Sequence, residues 1–598
     1  MLDVPGGARA NDPDAVERPE PSSAPARTFG SDHVADVLRA LDISYVALNP
    51  GASFRGLHDS LVNHLGNEQP RMLLCLHEEH AVALAHGWAK VTGRPMAAVL
   101  HSNVGLMHGT MAIFNAWCDR VPVLVLGATG PVDAARRRPW IDWLHTARDQ
   151  GALVRGYTKW DDQPASAAAA VEAVLRAYLI STTAPFGPTY VNLDAGMQEA
   201  EAPAAPLPDV ARFRAPAPPA PDPATLAAAA AALRAAKTPL ILCGRSTRSQ
   251  AGWDARVRLA ERLGAAVLTD LKAAAAFPTA HPLHAAPAGM FPGPGAAAAL
   301  RGADVVLSLD WIDLAGTLTA AGATPGTVIQ ASLDQLMHNG WSMDHQALPP
   351  VDHNLLCAPE AAVDGLLAAL GDGDARAWCM PAATPAAPAD GPLAVPHLAA
   401  ALRAAVAGHP ACLVRAPLSW SGAFWDLAGP LDALGYDGGG GIGSGPGMLV
   451  GAALAFRGTG RLPVAVLGDG DFLMGCTAMW TAARYGIPLL AVIANNRSFY
   501  NDEVHQGRVA HARGRNPANK WIGQHIGGPD IDLAAMARAQ GCTAFGPAHD
   551  LAGLRDMLAQ AVAALVAGAP VVVDVRVMPG YGADMQAALT KEAKPDRG

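Results

Sequence analysis

The chain has 598 residues, a formal net charge of −9 at pH 7, and 51% hydrophobic against 16% charged residues. At roughly 150 residues per domain this length predicts three or four domains with a large core. The acidic balance excludes the basic face of a nucleic-acid binder, and no run of about 18 apolar residues free of charges and Gly or Pro predicts a membrane span.

Residues 1–28 carry acids and prolines where a signal peptide needs an apolar stretch, so they read as a disordered leader. The eight cysteines are scattered, with no C-x-x-C pair. Neither a zinc knuckle nor a disulfide framework is predicted, and a cytoplasmic location is the simplest expectation. Ser31 is placed to N-cap a helix over His33–Leu41, followed by a strand at Tyr45–Leu48 and a turn at Asn49-Pro50-Gly51. Met96–Leu100 and Val121–Leu126 read as further buried strands. An Ala/Pro-rich linker over 199–223 closes a first block, 29–198. In the second block, 224–372, Pro239–Cys243, Ala265–Leu268, Val305–Leu309 and Val328–Ala331 are strands. A second linker spans 373–392. The third block, 393–580, has strands at Leu462–Leu467, Leu489–Ala494 and Val571–Val575, and 581–598 is a polar tail. Apolar strands separated by Ala-rich helices predict an α/β protein of three consecutive doubly wound parallel-sheet domains.

The strongest motif lies in the third block. A strand ends in Gly468-Asp469-Gly470, a helix follows over Met474–Tyr485, and a second strand ends at Asn495-Asn496. The right-handed crossover of such a βαβ unit brings both strand ends to one sheet edge, where ligands of open α/β sheets bind. Asp469 and Asn496 offer hard oxygen ligands suited to Mg²⁺ and phosphate. An EF-hand reading of this loop fails, because it is apolar and ends without Glu. Upstream, Gly438 to Gly447 forms a glycine-rich run that fits a dinucleotide fingerprint poorly because of Pro446. In the first block, His77-Glu78-Glu79-His80 is not a zinc-protease helix, since its histidines stand three apart instead of four. A surface turn, a flexible linker and a helix cap are the plain structural alternatives for these three segments.

Taken together, GDG with 24 residues before NN, the glycine run 25–30 residues upstream and LLCLHEEHAVALAHGWAKVTGRP resemble the signatures of the thiamine diphosphate (ThDP) enzymes of the acetohydroxyacid synthase, pyruvate oxidase and benzoylformate decarboxylase family. The resemblance covers about 29–580. It implies a pyrimidine-binding, a central and a diphosphate-binding domain. It implies that Mg²⁺ is held by Asp469, Asn496 and the carbonyl of Ser498, with Gly468, Gly470 and Asp471 about the diphosphate. Ile442, beside Gly443, falls on the residue that wedges between the two cofactor rings. Asn49, Pro50 and Gly51 fall on a cofactor-binding turn, and Glu78 on the carboxyl that hydrogen-bonds the pyrimidine and drives its proton relay. Such a Glu sits in an apolar pocket, so the resemblance implies a raised pKa. His101, in VLHSNVGLMHG, falls on the catalytic histidine of benzoylformate decarboxylases; Ala52 stands where that enzyme has a pocket Ser, with Ser53 next. Asp502, with Glu503 beside it, falls on a catalytic acid of pyruvate decarboxylases. In relatives the central block holds FAD, ADP or nothing, and no feature here selects FAD or ADP.

The implied activity is non-oxidative decarboxylation of a 2-oxo acid, with carboligation as a possible second outcome. An acetolactate-synthase-like carboligase, a 2-hydroxyacyl-CoA lyase of the oxalyl-CoA decarboxylase type and a non-catalytic ThDP-binding protein remain open. The small-molecule substrate is a 2-oxo acid or an acyl-CoA. The resemblance also implies a homodimer or homotetramer with active sites between subunits.

Overall fold

The computed structural model describes residues 17–21, 27–334, 347–371, 391–436 and 438–581. Most of the expected leader, the second linker from 373 to 390 and the tail from 582 lie outside the described residues. The first sheet contains β1 (Tyr45–Leu48), β2 (Arg71–Leu74), β3 (Ala97–Leu100), β4 (Leu124–Thr129), β5 (Asp161–Asp162) and β6 (Thr189–Asp194), in the order β2-β1-β3-β4-β6-β5. The second contains β7 (Pro239–Cys243), β8 (Ala266–Thr269), β9 (Val305–Leu309), β10 (Thr327–Ala331) and β11 (His353–Leu355), in the order β11-β10-β9-β7-β8. The third contains β12 (Ala411–Arg415), β13 (Leu462–Gly468), β14 (Leu489–Asn495), β15 (Thr543–Ala548) and β16 (Pro570–Arg576), in the order β12-β13-β14-β16-β15. Every pairing of strands is parallel.

Side-chain alternation explains why these strands are apolar throughout. In the first sheet, Val46, Leu48, Ala97, Val99, Leu124 and Leu126 enter one core, while Ala47, Ala98, Leu100, Val123 and Val125 enter another. The third sheet divides likewise, with Val464 and Val466 on one side and Ala465 and Leu467 on the other. Each sheet is therefore covered on both faces, the condition for an all-parallel sheet.

One core is common to the first and third sheets. At its centre the helix Glu78–Thr92 crosses the helix Ser444–Phe456. Glycine makes the close approach possible: a Cβ on Gly451 would lie 1.9 Å from the Leu84 carbonyl oxygen, and one on Gly87 would lie 2.0 Å from that of Met448. Asp119 fastens the same junction. Its carboxylate accepts from Lys90 Nζ at 2.7 Å, from His86 Nε2 at 2.8 Å and from the Gly438 amide at 2.8 Å. The central part joins through Asp334, which pairs with Arg120 and, at 2.7 Å, with Arg245.

Two sequence expectations shift. The first helix is Gly30–Ala40, and Ser31 lies inside it; the Phe29 amide donates to the Asp32 carboxylate at 2.8 Å, so Asp32 closes the start instead. The helix expected over Met474–Tyr485 is two, Asp469–Gly475 and Ala478–Arg484. The first begins on Asp469 itself, with acids in the turn where a helix dipole favours them.

Candidate active site

Asp469 follows β13 directly, and Asn496 follows β14. Because Gly468 is in register with Ala494, the two residues leave the same sheet edge side by side. Asp469, Asn496 and Ser498 line one cavity, together with Gly440, Ile442, Gly468, Gly470 and Asp471. Asn496 Oδ1 accepts the Ser498 amide at 2.8 Å, which closes the turn after β14. Asp469 is buried. Its Oδ1 accepts the Gly470 amide at 3.0 Å, whereas Oδ2 has no hydrogen-bond partner. Burial pushes its carboxyl up to about 6, against backbone amides that pull it down.

Asp471 lines the cavity with its carboxylate already engaged. Oδ1 accepts the Gly443 amide at 2.7 Å and the Gly445 amide at 3.3 Å, and Oδ2 accepts Arg415 Nε at 2.8 Å. Through these bonds it holds the glycine-rich turn in place. That turn leaves Ile442 36% exposed on the cavity wall. Of the adjacent acids, only Asp502 lines the cavity. Glu503 is buried, its carboxylate bonded to the Ser498 hydroxyl and 3.7 Å from Lys520 Nζ. Neighbours on a helix point about 100° apart, so one of the pair faces away; Glu503 is corrected to a support of the Ser498 turn.

The second cluster stands at the carboxyl edge of the first sheet. Glu78 opens its helix, capped by His77, whose Nδ1 accepts the Glu79 amide at 3.1 Å. Glu78 is buried, and its Oε2 meets His108 Nδ1 at 3.0 Å. His101 follows β3. A Cβ on Gly51 would sit 2.3 Å from its Cβ, so the Asn49-Pro50-Gly51 turn seats this histidine, while Asn49 Nδ2 donates to the Cys75 carbonyl at 2.9 Å. Ser53 Oγ accepts the Ser102 amide at 3.1 Å and lies 2.9 Å from His101 Nδ1. Ser53 Oγ keeps a proton and a second lone pair beside the bond from the Ser102 amide, so it can either donate to Nδ1 of a neutral His101 or accept from Nδ1–H of a charged one. The His145 ring lies 4.7 Å from that of His101. Burial lowers the His101 pKa, and the charge of His145 lowers it further, with Glu78 opposing.

His108, His145 and the bond from Ser53 escaped the sequence reading. His101 and His145 meet because β3 and β4 are neighbours, so the segments leaving their ends converge; the Gly130 amide donates to the His145 carbonyl at 3.0 Å and pins the second one. No residue numbered below 395 lines the Asp469 cavity.

Three family models match in chain order. They are the N-terminal thiamine pyrophosphate-binding domain of the thiamine pyrophosphate enzymes over 29–153, their central domain over 226–338, and their C-terminal thiamine pyrophosphate-binding domain over 417–575. The chain belongs to the thiamine diphosphate-dependent enzymes. It is 26% identical over 518 residues to benzoylformate decarboxylase of Pseudomonas aeruginosa, covering 85% of this chain and 92% of that protein. It is 28% identical over 516 residues to a 2-ketoarginine decarboxylase of the same organism, named as probable, covering 83% and 84%. The solved ThDP-dependent 4-hydroxybenzoylformate decarboxylase of Rhodococcus jostii RHA1 shares the fold, with a TM-score of 0.75 at 23% identity over 93% of this chain and all of that one. These relatives place the chain in the decarboxylase and carboligase branch of ThDP enzymes. Among the described residues no helix is long and apolar enough to cross a membrane.

The residues present fit the cofactor's diphosphate and its cation. A buried carboxylate oxygen without a donor, beside an amide oxygen and flanked by glycines at a sheet edge, is the donor set that a hard cation and phosphate oxygens complete.

Proposed function

We propose that the chain is a Mg²⁺- and ThDP-dependent carbon–carbon lyase that decarboxylates a 2-oxo acid without oxidation. Asp469, Asn496 and the Ser498 carbonyl hold the cation, Gly468 and Gly470 let the backbone approach the diphosphate, and Ile442 supports the cofactor from below. Bound ThDP supplies an electron sink for the bond that breaks. Glu78 holds a proton at the pyrimidine edge, with His108 orienting its carboxylate. His101 would hold the proton that the acyl carbon needs once CO₂ has left, and Asp502, on the cavity wall, would hold or move protons there.

The observation that carries this reading is the Ser53–His101 bond at 2.9 Å, in a cluster where Glu78 also acts on His101. It anchors Nδ1 of His101, and in the charged ring this nitrogen donates to Ser53 while Nε2 holds the proton to be given up. The two clusters supply different ends of one cofactor. The family resemblance implies that a second copy of the chain contributes the pyrimidine end, with a homodimer or a pair of dimers as the active unit; cavity walls drawn from residues 395–581 support this reading.

A panel of 2-oxo acids assayed for CO₂ release, with 2-hydroxyacyl-CoAs assayed for formyl-CoA, tests the reading. Turnover of a 2-oxo acid to its aldehyde is the expected result. Acyl transfer without free aldehyde identifies a carboligase, cleavage of the CoA ester alone identifies a lyase of that class, and cofactor binding with no turnover refutes catalysis.

A further inference from the structure

The helices Glu78–Thr92 and Ser444–Phe456 meet at their starts as well as at their crossing. A Cβ on Gly447 would lie 2.9 Å from that of Ala83, and Gly451 meets Leu84 further on, so the contacts advance together along both helices. The positive ends of two helix dipoles therefore lie side by side, where a carboxylate is stabilised. Glu79 supplies it. It stands in the first turn of one helix, and its Oε1 accepts at 2.9 Å from the hydroxyl of Ser444, the first residue of the other.

Ser444 is buried, and Asn115 Nδ2, on the buried side of the helix Ser102–Cys118, lies 2.8 Å from the same hydroxyl. An amide nitrogen only donates and a carboxylate only accepts, so the hydroxyl accepts from Asn115 and donates to Glu79. Ser444 follows Ile442 and Gly443 directly, and Gly443 has a φ of +103°, a left-handed conformation open to glycine. The turn that carries Ile442 thus has two anchors of different origin. Asp471, from its own domain, accepts the Gly443 and Gly445 amides, whereas Glu79 and Asn115 come from the block that carries Glu78.

From this we infer that Glu79 is a positioning residue for cofactor binding: through Ser444 it fixes the Ile442 turn on the wall of the Asp469 cavity. The inference rests on the cofactor role proposed above for Ile442 and that cavity, and not on the identity of the substrate. Adjacent residues on a helix point about 100° apart, and this divides the two acids by task. Glu78 meets His108, while Glu79 turns to Ser444. A turn already held in its bound geometry spares the cofactor the cost of ordering it, so the bond acts on affinity without contact between Glu79 and the ligand.

Titration calorimetry of the full chain with ThDP, in the presence of Mg²⁺, tests this without turnover. Glu79→Ala should raise the Kd for ThDP by at least about tenfold, the value of one hydrogen bond to a charged group. Glu79→Gln keeps an oxygen acceptor for Ser444 and loses only the charge at the two helix ends, so its Kd should stay within about threefold of the unaltered chain. Neither variant removes the Glu79 amide that His77 caps. Ser444→Ala should weaken binding at least as much as Glu79→Ala, and the double variant should lose no more than Ser444→Ala alone, because the bond is already gone. If Glu79→Ala fails to fold, Ser444→Ala and Glu79→Gln serve. A Kd unchanged in Glu79→Ala even where Tm falls, a Glu79→Gln as weak as Glu79→Ala, or losses that add in the double variant each overturns the inference. An unaltered chain that binds no ThDP overturns it together with the cofactor reading. Glu79-dependent binding of ThDP with no decarboxylation of any 2-oxo acid supports it while refuting the decarboxylase reading.

Discussion

Gly451→Ala probes how the fold positions the cofactor site. The added Cβ would lie 1.9 Å from the Leu84 carbonyl oxygen, where about 3.0–3.4 Å is already tight, and that oxygen belongs to a helix backbone that cannot swing aside. The two helices must separate by about an ångström. Overpacking of this kind costs about 1–3 kcal/mol, which for a domain of this size lowers Tm by roughly 2–12 °C. Glu78 and the Ile442–Ser444 turn sit at the ends of these helices, so displacement there reaches both halves of the site. A misplacement near 1 Å costs on the order of 10²-fold in rate. Gly302→Ala is the control: it lies in the helix Pro294–Gly302 with open space around it, and alanine there should leave Tm unchanged or raise it. Thermal unfolding and ThDP titration of both variants decide the matter. If Gly451→Ala melts and binds cofactor like Gly302→Ala, the crossing is not the element that sets the site.

Asp469→Ala should leave the fold intact and abolish ThDP binding in the presence of Mg²⁺; full affinity by titration calorimetry refutes the ligand assignment. Glu78→Gln should keep the cofactor bound and slow exchange of its C2 proton with deuterium by about 10²–10⁴-fold or more, the range for lost general acid–base catalysis; unchanged exchange by NMR assigns the relay elsewhere. Since burial and then His145 lower the His101 pKa, activity that needs protonated His101 should fall as pH rises through a value below the usual 6.5. His145→Gln removes one lowering cause and should move that limb to higher pH in the kcat profile; a limb that stays in place separates the two rings. Sedimentation of the active species should find a dimer or tetramer, and an active monomer refutes the shared site.

What the sequence revealed, and what it concealed, follows from the length of each signal. Continuous apolar runs such as Pro239–Cys243 and Val305–Leu309 are strands with the very limits read from the sequence, because a strand buried on both faces needs no polar alternation. Arg71–Leu74 and Asp161–Asp162 escaped, since four residues or two carry too little pattern to separate from a loop. The split of the helix after Asp469 follows from tertiary contact: a Cβ on Gly475 would lie 2.2 Å from the Gly443 carbonyl, so the glycine turn presses on the helix just where it breaks.

The site divides along the same line. Asp469, Asn496 and Glu78 were legible because each belongs to a local motif whose spacing reflects one strand–turn–helix unit. His108 and His145 belong to no local motif. They reach Glu78 and His101 across 30 and 44 residues, through strand order and helix packing. In the sequence Ser53 is only the neighbour of a substituted position, yet its hydroxyl is the group that meets His101 Nδ1. The cofactor is thus written in local motifs, whereas the residues proposed to tune proton transfer are distributed over segments that only the packed sheets bring together.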